Sequence, residues 1–453
     1  MHTHDLIVIG AGMAGINATI RAAEAGRRVA LVERAMVGGT CPTRGCIPTK
    51  AMVRSAEIAH EARRAGEFGI RVTGVEVDFA AVIDRVRGII DKGSRGARGY
   101  LESLDAVELI DGEARLTGPE SVRVDGREIS AARIVVATGA EPSIPPIPGL
   151  ADVPHLTSDD VLRLTDLPRR IVVIGGGPIA LELGQALSRL GAAVTLVEVL
   201  PRLLPAEEPE IVDMLAGYLR EEGIEVLTGA TVRAARPGPA LLVEHGGRER
   251  LIEADALLVA TGRRPATAAL GLAEAGVELD RAGIRVDERL RTTRGSVFAA
   301  GDVVGLPYGA FTHVARRMGV AVAENALDLA PQAVEPDLGP RAVFTDPELA
   351  MIGMTEAEAR AAGHDVAVGT ATPSGGKARA WGEERGMVKV VIDARTRRIL
   401  GARILAYHGA DLVHPVAVAM SAPGGAVDPL LATMHVHPTL GEVVLAAAQR
   451  AAA

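Results

Sequence analysis

The chain has 453 residues, of which 48% are hydrophobic and only 2% aromatic, and its net charge is −8. This length allows roughly two to four domains, with cores built mainly from aliphatic side chains. The sequence shows no long basic run typical of a nucleic-acid surface and no apolar run of about 18 residues that could span a membrane, and we expect no targeting leader. Two cysteines are too few for a disulfide framework, so we expect a soluble cytoplasmic protein without nucleic-acid or membrane partners.

The first elements predict a dinucleotide-binding unit. A buried strand over residues 6–9 leads into a glycine-rich turn at 10–15, a helix extends to Gly26, and a strand over 29–32 ends at Glu33. In such a unit the glycines let the backbone approach a pyrophosphate at the helix N-terminus, and the acid accepts a hydrogen bond from a ribose hydroxyl. The residues expected to contact the dinucleotide are Gly10, Gly12, Gly15 and Glu33.

The next segment, residues 38–50, contains the only two cysteines of the chain, Cys41 and Cys46. A disulfide closing so short a loop stabilises the fold by only roughly 2 kcal/mol. A helix predicted to begin at Pro48 places Cys46 just ahead of a helix N-terminus, where the dipole stabilises a thiolate. We therefore predict a redox-active dithiol. The alternatives are inert packing and half of a zinc site, which would need two further ligands.

The glycine turn recurs 165 positions later. Gly175 and Gly177 open the second turn, and Glu198 lies 23 positions after Gly175, the same spacing as from Gly10 to Glu33. Two unrelated doubly wound units would not be expected to share this register. The sequence therefore predicts two dinucleotide sites, one in each unit.

A second repeat supports the first. The apolar segments 134–139 and 257–262 both end in Ala-Thr-Gly, each downstream of its own glycine turn. The first of these motifs contains Thr138 and Gly139, and the second ends at Gly262. Each segment is predicted to be a strand of its own unit.

The remaining chain contains a linker, a returning strand and a region of different character. The proline-rich stretch 141–149 predicts a domain boundary. A short strand at 296–301 ends at Asp302, an acid suited to a cofactor hydroxyl, although a strand-end turn is the favoured interpretation of this segment taken alone. Antiparallel strands are expected after about residue 335. The elements predicted there are strands over 387–392 and 399–402 and helices over 355–362 and 409–420.

A histidine and a glutamate close to the C-terminus have two interpretations. Thr439 and Glu442 fit a capping box at the start of a last alanine-rich helix. Alternatively, Glu442 orients the imidazole of His437 so that its other nitrogen exchanges a proton with a thiol. The residue pattern alone leaves both interpretations open.

With these motifs in place, the whole chain resembles the pyridine nucleotide–disulfide oxidoreductases, and within them the dihydrolipoamide dehydrogenases most closely. The resemblance implies an α/β fold with two Rossmann-like dinucleotide-binding domains of the glutathione reductase type and a C-terminal α+β domain that pairs two subunits. It implies FAD in the first unit, NAD in the second, and a dithiol or disulfide substrate such as lipoamide, free or carried on an acyltransferase. The implied domains are FAD-binding residues 1–145 and 265–334, NAD-binding residues 146–264 and interface residues 335–453.

The same resemblance implies a role for individual residues. Catalysis is assigned to Cys41, Cys46, Lys50, Glu182, His437 and Glu442, with Cys46 against the flavin, Cys41 exchanging with substrate, Lys50 facing Glu182, and the histidine pair serving the other subunit. The implied FAD contacts are Gly10, Gly12, Gly15, Glu33, Gly39, Thr40, Ala114, Thr138, Gly139 and Asp302. The implied NAD contacts are Gly175, Gly177, Glu198 and Gly262, and no metal is expected.

Several residues bear on cofactor and substrate specificity. Glu198 favours NAD(H) because a carboxylate repels a 2′-phosphate, although Arg202 lies near it in sequence. Pro42 and Arg44 depart from the dihydrolipoamide pattern, and we hypothesise that Arg44 lowers a thiol pKa or favours an anionic substrate. A mercuric reductase-like activity stays open, although the tail 446–453 lacks that enzyme's cysteine pair. A redox-sensing flavoprotein without turnover is the alternative of another class.

Overall fold

The structure is a computed structural model that describes residues 2–305, 311–335 and 339–453. The first unit starts with alternating strands and helices. Its strands are β1 (His4–Ile9), β2 (Val29–Glu33), β3 (Val107–Asp111), β4 (Ala114–Gly118), β5 (Ser121–Val124), β6 (Arg127–Val136) and β7 (Ala140–Pro142). Its helices are α1 (Met13–Glu24), α2 (Thr40–Thr43), α3 (Cys46–Arg64) and α4 (Phe79–Glu102).

The first sheet runs in the order β3-β2-β1-β6-β5-β4. β1 lies in parallel between β2 and β6, which places Ile9 beside Val32 and Val136. The apolar residues of β1 are buried, because a parallel strand is covered on both faces. The predicted strands and the strand–turn–helix–strand order of this unit are confirmed.

The second unit repeats this plan. Its elements are β8 (Leu156–Thr157), β9 (Arg170–Ile174), α5 (Pro178–Leu190), β10 (Ala193–Glu198), α6 (Pro209–Glu221), β11 (Glu225–Thr228), β12 (Thr231–Arg236), β13 (Ala240–His245), β14 (Arg248–Glu253), β15 (Ala256–Val259) and β16 (Arg263–Pro265). A parallel sheet follows the order β11-β10-β9-β15-β8, and β12, β13 and β14 form an antiparallel sheet of their own. β16 pairs with β7, which links the two units.

The chain then returns to the first sheet through β17 (Val297–Ala299) and α7 (Thr312–Ala326). β17 adds to β6 in parallel. Helix α7 packs closely on α1. At Gly319 the two helices are so close that a Cβ would lie only 2.3 Å from the carbonyl oxygen of Ala14. This topology brings both segments of the first unit into one core. The domain boundaries predicted at residues 145, 264 and 334 stay predictions.

The C-terminal region is an antiparallel sheet with helices. Its elements are β18 (Arg341–Val343), β19 (Glu348–Gly353), α8 (Glu356–Ala361), β20 (Val366–Ala371), α9 (Gly376–Trp381), β21 (Met387–Asp393), β22 (Ile399–Ala406), α10 (Gly409–Leu412), α11 (His414–Ser421), α12 (Asp428–Ala432) and α13 (Glu442–Ala452). The strand order is β18-β19-β22-β21-β20. The helix predicted over 409–420 is present but divided into α10 and α11, and Pro415 stands at the start of α11, where its missing N–H costs least. Among the residues that the structure describes, no helix is both long and apolar enough to cross a bilayer.

Candidate active site

The two glycine turns share one backbone geometry. Gly10 has φ +104°, and a Cβ there would lie 2.5 Å from the carbonyl oxygen of Ala137. Gly175 has φ +121°, and a Cβ there would lie 2.5 Å from the carbonyl oxygen of Ala260. Both positions therefore require glycine, for the left-handed conformation and for the close approach of the neighbouring strand.

Both turns leave a helix N-terminus without a side-chain cap. Gly12 is the N-cap of α1 and Gly177 is the N-cap of α5, and neither helix receives a hydrogen bond from a capping side chain. The first-turn N–H groups remain available to phosphate oxygens. A Cβ at Gly15 would lie 1.8 Å from the Gly10 carbonyl oxygen, whereas the equivalent Ala180 fits as a fully buried side chain. The residues present in both units therefore fit a dinucleotide pyrophosphate.

An acid ends the second strand of each unit. In the first, Glu33 accepts hydrogen bonds from the N–H groups of Ala11 at 2.7 Å and Ala35 at 2.8 Å. In the second, Glu198 accepts from the N–H of Leu200 at 2.7 Å. Each carboxylate oxygen keeps further lone pairs for ribose hydroxyls. Both acids lie at the carboxyl end of a parallel sheet, where such folds bind nucleotides.

Arg202, the cation near Glu198 in sequence, is engaged elsewhere. Its Nε lies 3.1 Å from Oδ1 of Asp213 on α6. Part of its charge is thereby compensated by a carboxylate of the same surface. This ion pair weakens the case for Arg202 as a ligand of a 2′-phosphate.

The cysteine loop packs directly on the first glycine turn. The N–H of Gly38 donates to the carbonyl of Ala11 at 2.9 Å, and a Cβ at Gly39 would lie 2.5 Å from Cα of Gly12. Thr40, the next residue, begins α2 and is half-buried. Gly39 and Thr40 thus lie beside the turn assigned to FAD.

The other residues assigned to FAD lie around the same turn or in its core. Gly301 precedes Asp302, and a Cβ at Gly301 would lie 3.1 Å from the Cβ of Ala14, so Asp302 follows a close contact with the start of α1. Ala114 begins β4, and its methyl group is buried. The hydroxyl of Thr138 donates to the carbonyl of Ala266 at 2.8 Å and is used within the protein.

The glycines that end the two Ala-Thr-Gly motifs are more open. Gly139 has φ +72° and Gly262 has φ +112°, and a Cβ at either would meet no described atom within 4 Å. Positive φ again favours glycine at both positions. Their assignment to the two dinucleotides stays a prediction.

Cys41 lies in α2 and Cys46 begins α3, and both are free, half-buried thiols. The prediction that the helix begins at Pro48 is wrong: α3 begins at Cys46, with Gly45 as its N-cap. Proline is tolerated throughout the first turn of a helix, so it does not have to mark the first residue. The helix start at Cys46 places this residue within the first turn of α3, closer to the unpaired N–H groups.

The surroundings separate the acidity of the two thiols. A hydrogen bond from Cys41 lowers the pKa of Cys46 to about 6 against the opposing effect of burial, and Thr312 and the charge of Lys50 lower it further. The same hydrogen bond raises the pKa of Cys41, and burial adds to that effect. The reduced pair therefore carries its negative charge on Cys46 and its proton on Cys41.

Lys50 is held by both the second unit and the C-terminal region. Its Nζ donates to Oε2 of Glu182 at 2.7 Å and lies 4.3 Å from the ring centre of Phe344. The other oxygen of Glu182 accepts the N–H of Phe344 at 3.0 Å. Glu182 is buried, and its carboxylate and the ring of Phe344 together hold the ammonium of Lys50 near the dithiol.

Sequence reasoning missed three residues of this site. Thr312, the first residue of α7, has its hydroxyl 3.4 Å from the sulfur of Cys46. Phe344 binds the Lys50–Glu182 pair, and Asp159 lies 3.4 Å from Nε of Arg44. None of the three belongs to a motif, and only the fold brings them to the loop. Because Arg44 is directed to Asp159, its hypothesised effect on a thiol pKa is not supported by the contacts that act on Cys46.

His437 and Glu442 are paired on the surface of the C-terminal region. Nδ1 of His437 lies 2.8 Å from Oε1 of Glu442, and the His437 side chain is 74% exposed. Glu442 also accepts the N–H of Thr439 at 2.9 Å. The predicted capping box with Thr439 as N-cap is wrong, because α13 begins at Glu442 with Gly441 as its N-cap and receives no hydrogen bond from a capping side chain. The hydrogen bonds from His437 and Thr439 lower the pKa of Glu442, which stays ionised and holds the imidazole.

Known proteins share this arrangement of sequence and fold. Residues 4–334 match the pyridine nucleotide-disulphide oxidoreductase family, and residues 339–448 match its dimerisation domain. The dihydrolipoyl dehydrogenase of Chlorobaculum parvum is 39% identical over 98% of this chain and 96% of its own length. The mercuric reductase of Bacillus cereus is 37% identical over 97% of this chain and 70% of its own length. The Cu(II) complex of the HOCl-induced flavoprotein disulfide reductase RclA from Escherichia coli is similar with a TM-score of 0.88 and 31% identity, covering 99% of both chains.

These matches confirm the family and the fold class inferred from the motifs. In the described ranges, no group of three or more His, Cys, Asp or Glu side chains is arranged to hold a metal ion. Because both parts of the chain match this family and its dimerisation domain, the chain belongs to the pyridine nucleotide-disulphide oxidoreductases. It is an FAD-dependent oxidoreductase that uses NAD(H), built from two Rossmann-like domains and a C-terminal dimerisation domain.

Proposed function

We propose that this enzyme is a dihydrolipoamide dehydrogenase, which converts dihydrolipoamide and NAD⁺ into lipoamide, NADH and a proton. The observation that carries the proposal is the pair of thiols of unequal acidity, Cys41 and Cys46, in a loop packed on the first glycine turn. Full-length relatives named dihydrolipoyl dehydrogenase, 39% and 40% identical, support this substrate.

The cysteine pair would perform the thiol–disulfide exchange. A substrate thiolate attacks the sulfur of Cys41 in the Cys41–Cys46 disulfide, forming a mixed disulfide and releasing Cys46 as the thiolate, the better leaving group because its pKa is lower. The second substrate thiolate then displaces Cys41, so that substrate leaves as a disulfide and two electrons remain on the cysteine pair. FAD, held by Gly10, Gly12 and Glu33, would pass these electrons to NAD⁺.

A base is needed to form the attacking thiolate. With Nδ1 of His437 bonded to Glu442, Nε2 is the nitrogen that takes the substrate proton. Because His437 lies in the segment that matches the dimerisation domain and is largely exposed, we assign it to the dithiol of a second copy of the chain in a homodimer.

We place the reaction in the cytoplasm, since the only two cysteines serve catalysis and none form a structural framework.

The test is NADH formation from dihydrolipoamide and NAD⁺ by the purified yellow holoenzyme. We expect turnover in the wild type and a loss of at least about a thousandfold in Cys46→Ser, which keeps its flavin colour. The proposal fails if the wild type reduces no NAD⁺ with dihydrolipoamide. Mercuric ion reduction with NADPH in that case would favour the mercuric reductase alternative, and absence of turnover with either substrate would favour a redox sensor.

A further inference from the structure

A cavity of about 340 Å³ lies on the exposed side of α7, the helix that begins at the dithiol. Residues of α7 form one wall, and the segment that follows the helix forms the other. The lining includes His313, Arg316, Arg317, Val320, Gln332 and Val334. Polar and cationic groups thus meet an aliphatic surface in one concave site.

The charge of this cavity is uncompensated by the residues that the structure describes. Arg316 and Arg317 are exposed, and their side chains form no ion pair or hydrogen bond within the described ranges. Among the residues that the structure describes, no acidic side chain lines the cavity. The carboxylate of Glu324 on the same helix binds Arg21 at 3.0 Å and accepts the Gln332 amide at 2.7 Å. Two guanidinium groups are therefore left to attract an anion.

The cavity lies within reach of the reacting sulfurs. Thr312 contacts the Cys46 sulfur at 3.4 Å, and Arg316 follows one turn later on the same face of α7, about 6 Å along the axis. A substrate bound at the dithiol can therefore extend its chain along α7 toward the two arginines. The aliphatic side chain of Val320, and that of Val334 opposite, would contact the hydrocarbon part of such a chain.

We propose that Arg316 and Arg317 form an anion subsite that selects dithiol or disulfide substrates whose short aliphatic chain ends in a carboxylate. This inference rests on the proposed function and names its substrate class: the free acid, lipoate, is favoured over the neutral amide. Arg44, the other cation near the dithiol, does not supply this preference because Asp159 already binds it.

Dihydrolipoate and dihydrolipoamide test the subsite, because they share the dithiol and the chain and differ only in the terminal group. We expect the wild-type holoenzyme to favour dihydrolipoate in kcat/KM by about fivefold to tenfold at low salt. In the double variant Arg316→Gln, Arg317→Gln the ratio should fall to about one, with dihydrolipoamide turnover and flavin content unchanged. Arg316→Lys, Arg317→Lys should keep part of the preference.

The matched control removes two arginines elsewhere. Arg248 begins β14 and Arg395 follows β21, and both are exposed without an ion pair in the described ranges. Arg248→Gln, Arg395→Gln should keep the wild-type ratio. Equal use of both dithiols by the wild type, or a ratio that the α7 variant leaves unchanged, overturns the subsite while the proposed function stands.

A holoenzyme that oxidises neither dithiol would instead contradict the proposed function. The subsite is then decided by equilibrium dialysis of the oxidised holoenzyme against lipoate and lipoamide. Tighter binding of lipoate that is lost in the α7 variant supports the subsite, and equal binding of the two ligands overturns it.

Discussion

The two dinucleotide units have the same turn but different surroundings. Gly10 and Gly175 have similar φ angles and the same 2.5 Å distance from a would-be Cβ to the facing carbonyl oxygen. Around the first turn, however, the cysteine loop packs through Gly39 on Gly12, and α7 packs on α1. Around the second, the loop after β10 also packs on the turn, since the N–H of Leu204 donates to the carbonyl of Gly176 at 3.0 Å, but a Cβ at Gly177 would meet no described atom within 4 Å.

The difference teaches how one motif serves two kinds of ligand. A site covered by other segments binds its ligand through many contacts and releases it slowly, which suits a resident cofactor. An open site lets its ligand exchange in every turnover, which suits NAD(H). Cysteines are also confined to the first unit, because the positions 165 residues after Cys41 and Cys46 are Ala206 and Ile211.

The most severe test of this comparison is to substitute alanine for the same glycine in each unit. Gly10→Ala should abolish FAD retention and all activity, because the Cβ collides with Ala137 and φ is strained by about 1–3 kcal/mol. Gly175→Ala should keep the yellow colour and lose reaction with NAD(H). Flavin absorbance after gel filtration and stopped-flow reaction with NADH measure the two effects.

Far-ultraviolet circular dichroism controls for unfolding in both variants. A colourless Gly175→Ala protein that is folded, or a Gly10→Ala protein that retains flavin, would contradict the assignment of FAD to the first unit and NAD to the second.

What the sequence predicts well is set by local backbone chemistry. The strand before Gly10 and the acid Glu33 were predictable because a parallel strand is apolar throughout and a nucleotide turn requires glycine at fixed positions. The same local rules identified the second unit and the antiparallel sheet at the C-terminus. Helix starts were less predictable, because proline at Pro48 is compatible with several positions in the first turn.

What the sequence does not predict are contacts between distant segments. Thr312 and Cys46 are 266 positions apart, and Phe344 reaches Glu182 across 162 positions. No periodicity or spacing encodes such contacts, since they depend on how whole sheets and helices pack. The pairing of Lys50 with Glu182 was expected only through the family resemblance, and its third partner, Phe344, was not expected at all.

A change outside both units separates chemistry from cofactor binding. His437→Gln should lower dithiol turnover by about a hundredfold to ten-thousandfold, because the base is lost while both dinucleotide sites are untouched. Glu442→Gln should have a smaller effect, since the imidazole remains but loses its ionised partner. Steady-state rates with dihydrolipoamide measure both, and reduction of the flavin by NADH is the control. Loss of that reduction in His437→Gln would contradict a role confined to the substrate thiol.

The acid of the second unit sharpens the comparison at the level of specificity. Glu198→Ala should raise kcat/KM for NADP(H) relative to NAD(H) by about tenfold, because a carboxylate no longer repels the 2′-phosphate. Asp213→Ala added to it should raise the ratio further by releasing Arg202. Asp213→Ala alone serves as the matched control. A wild type that uses NADPH as well as NADH would refute the preference assigned to Glu198.

The smallest effect concerns the ion pair that joins the two units, Lys50 of α3 with Glu182 of α5. The charge of Lys50 helps to lower the pKa of Cys46, so the Cys46 thiolate of the reduced enzyme persists at neutral pH and is lost as the pH falls through about 6. Lys50→Met should move this loss to higher pH by about one unit or less, and Glu182→Gln should move it to lower pH by leaving the ammonium unpaired. Site-resolved alkylation of the reduced protein by iodoacetamide, followed across pH by mass spectrometry, reports the Cys46 thiolate directly. Shifts of the same sign in both variants would mean that the pair acts on the loop through packing, whereas opposite shifts require that its charge reaches the sulfur.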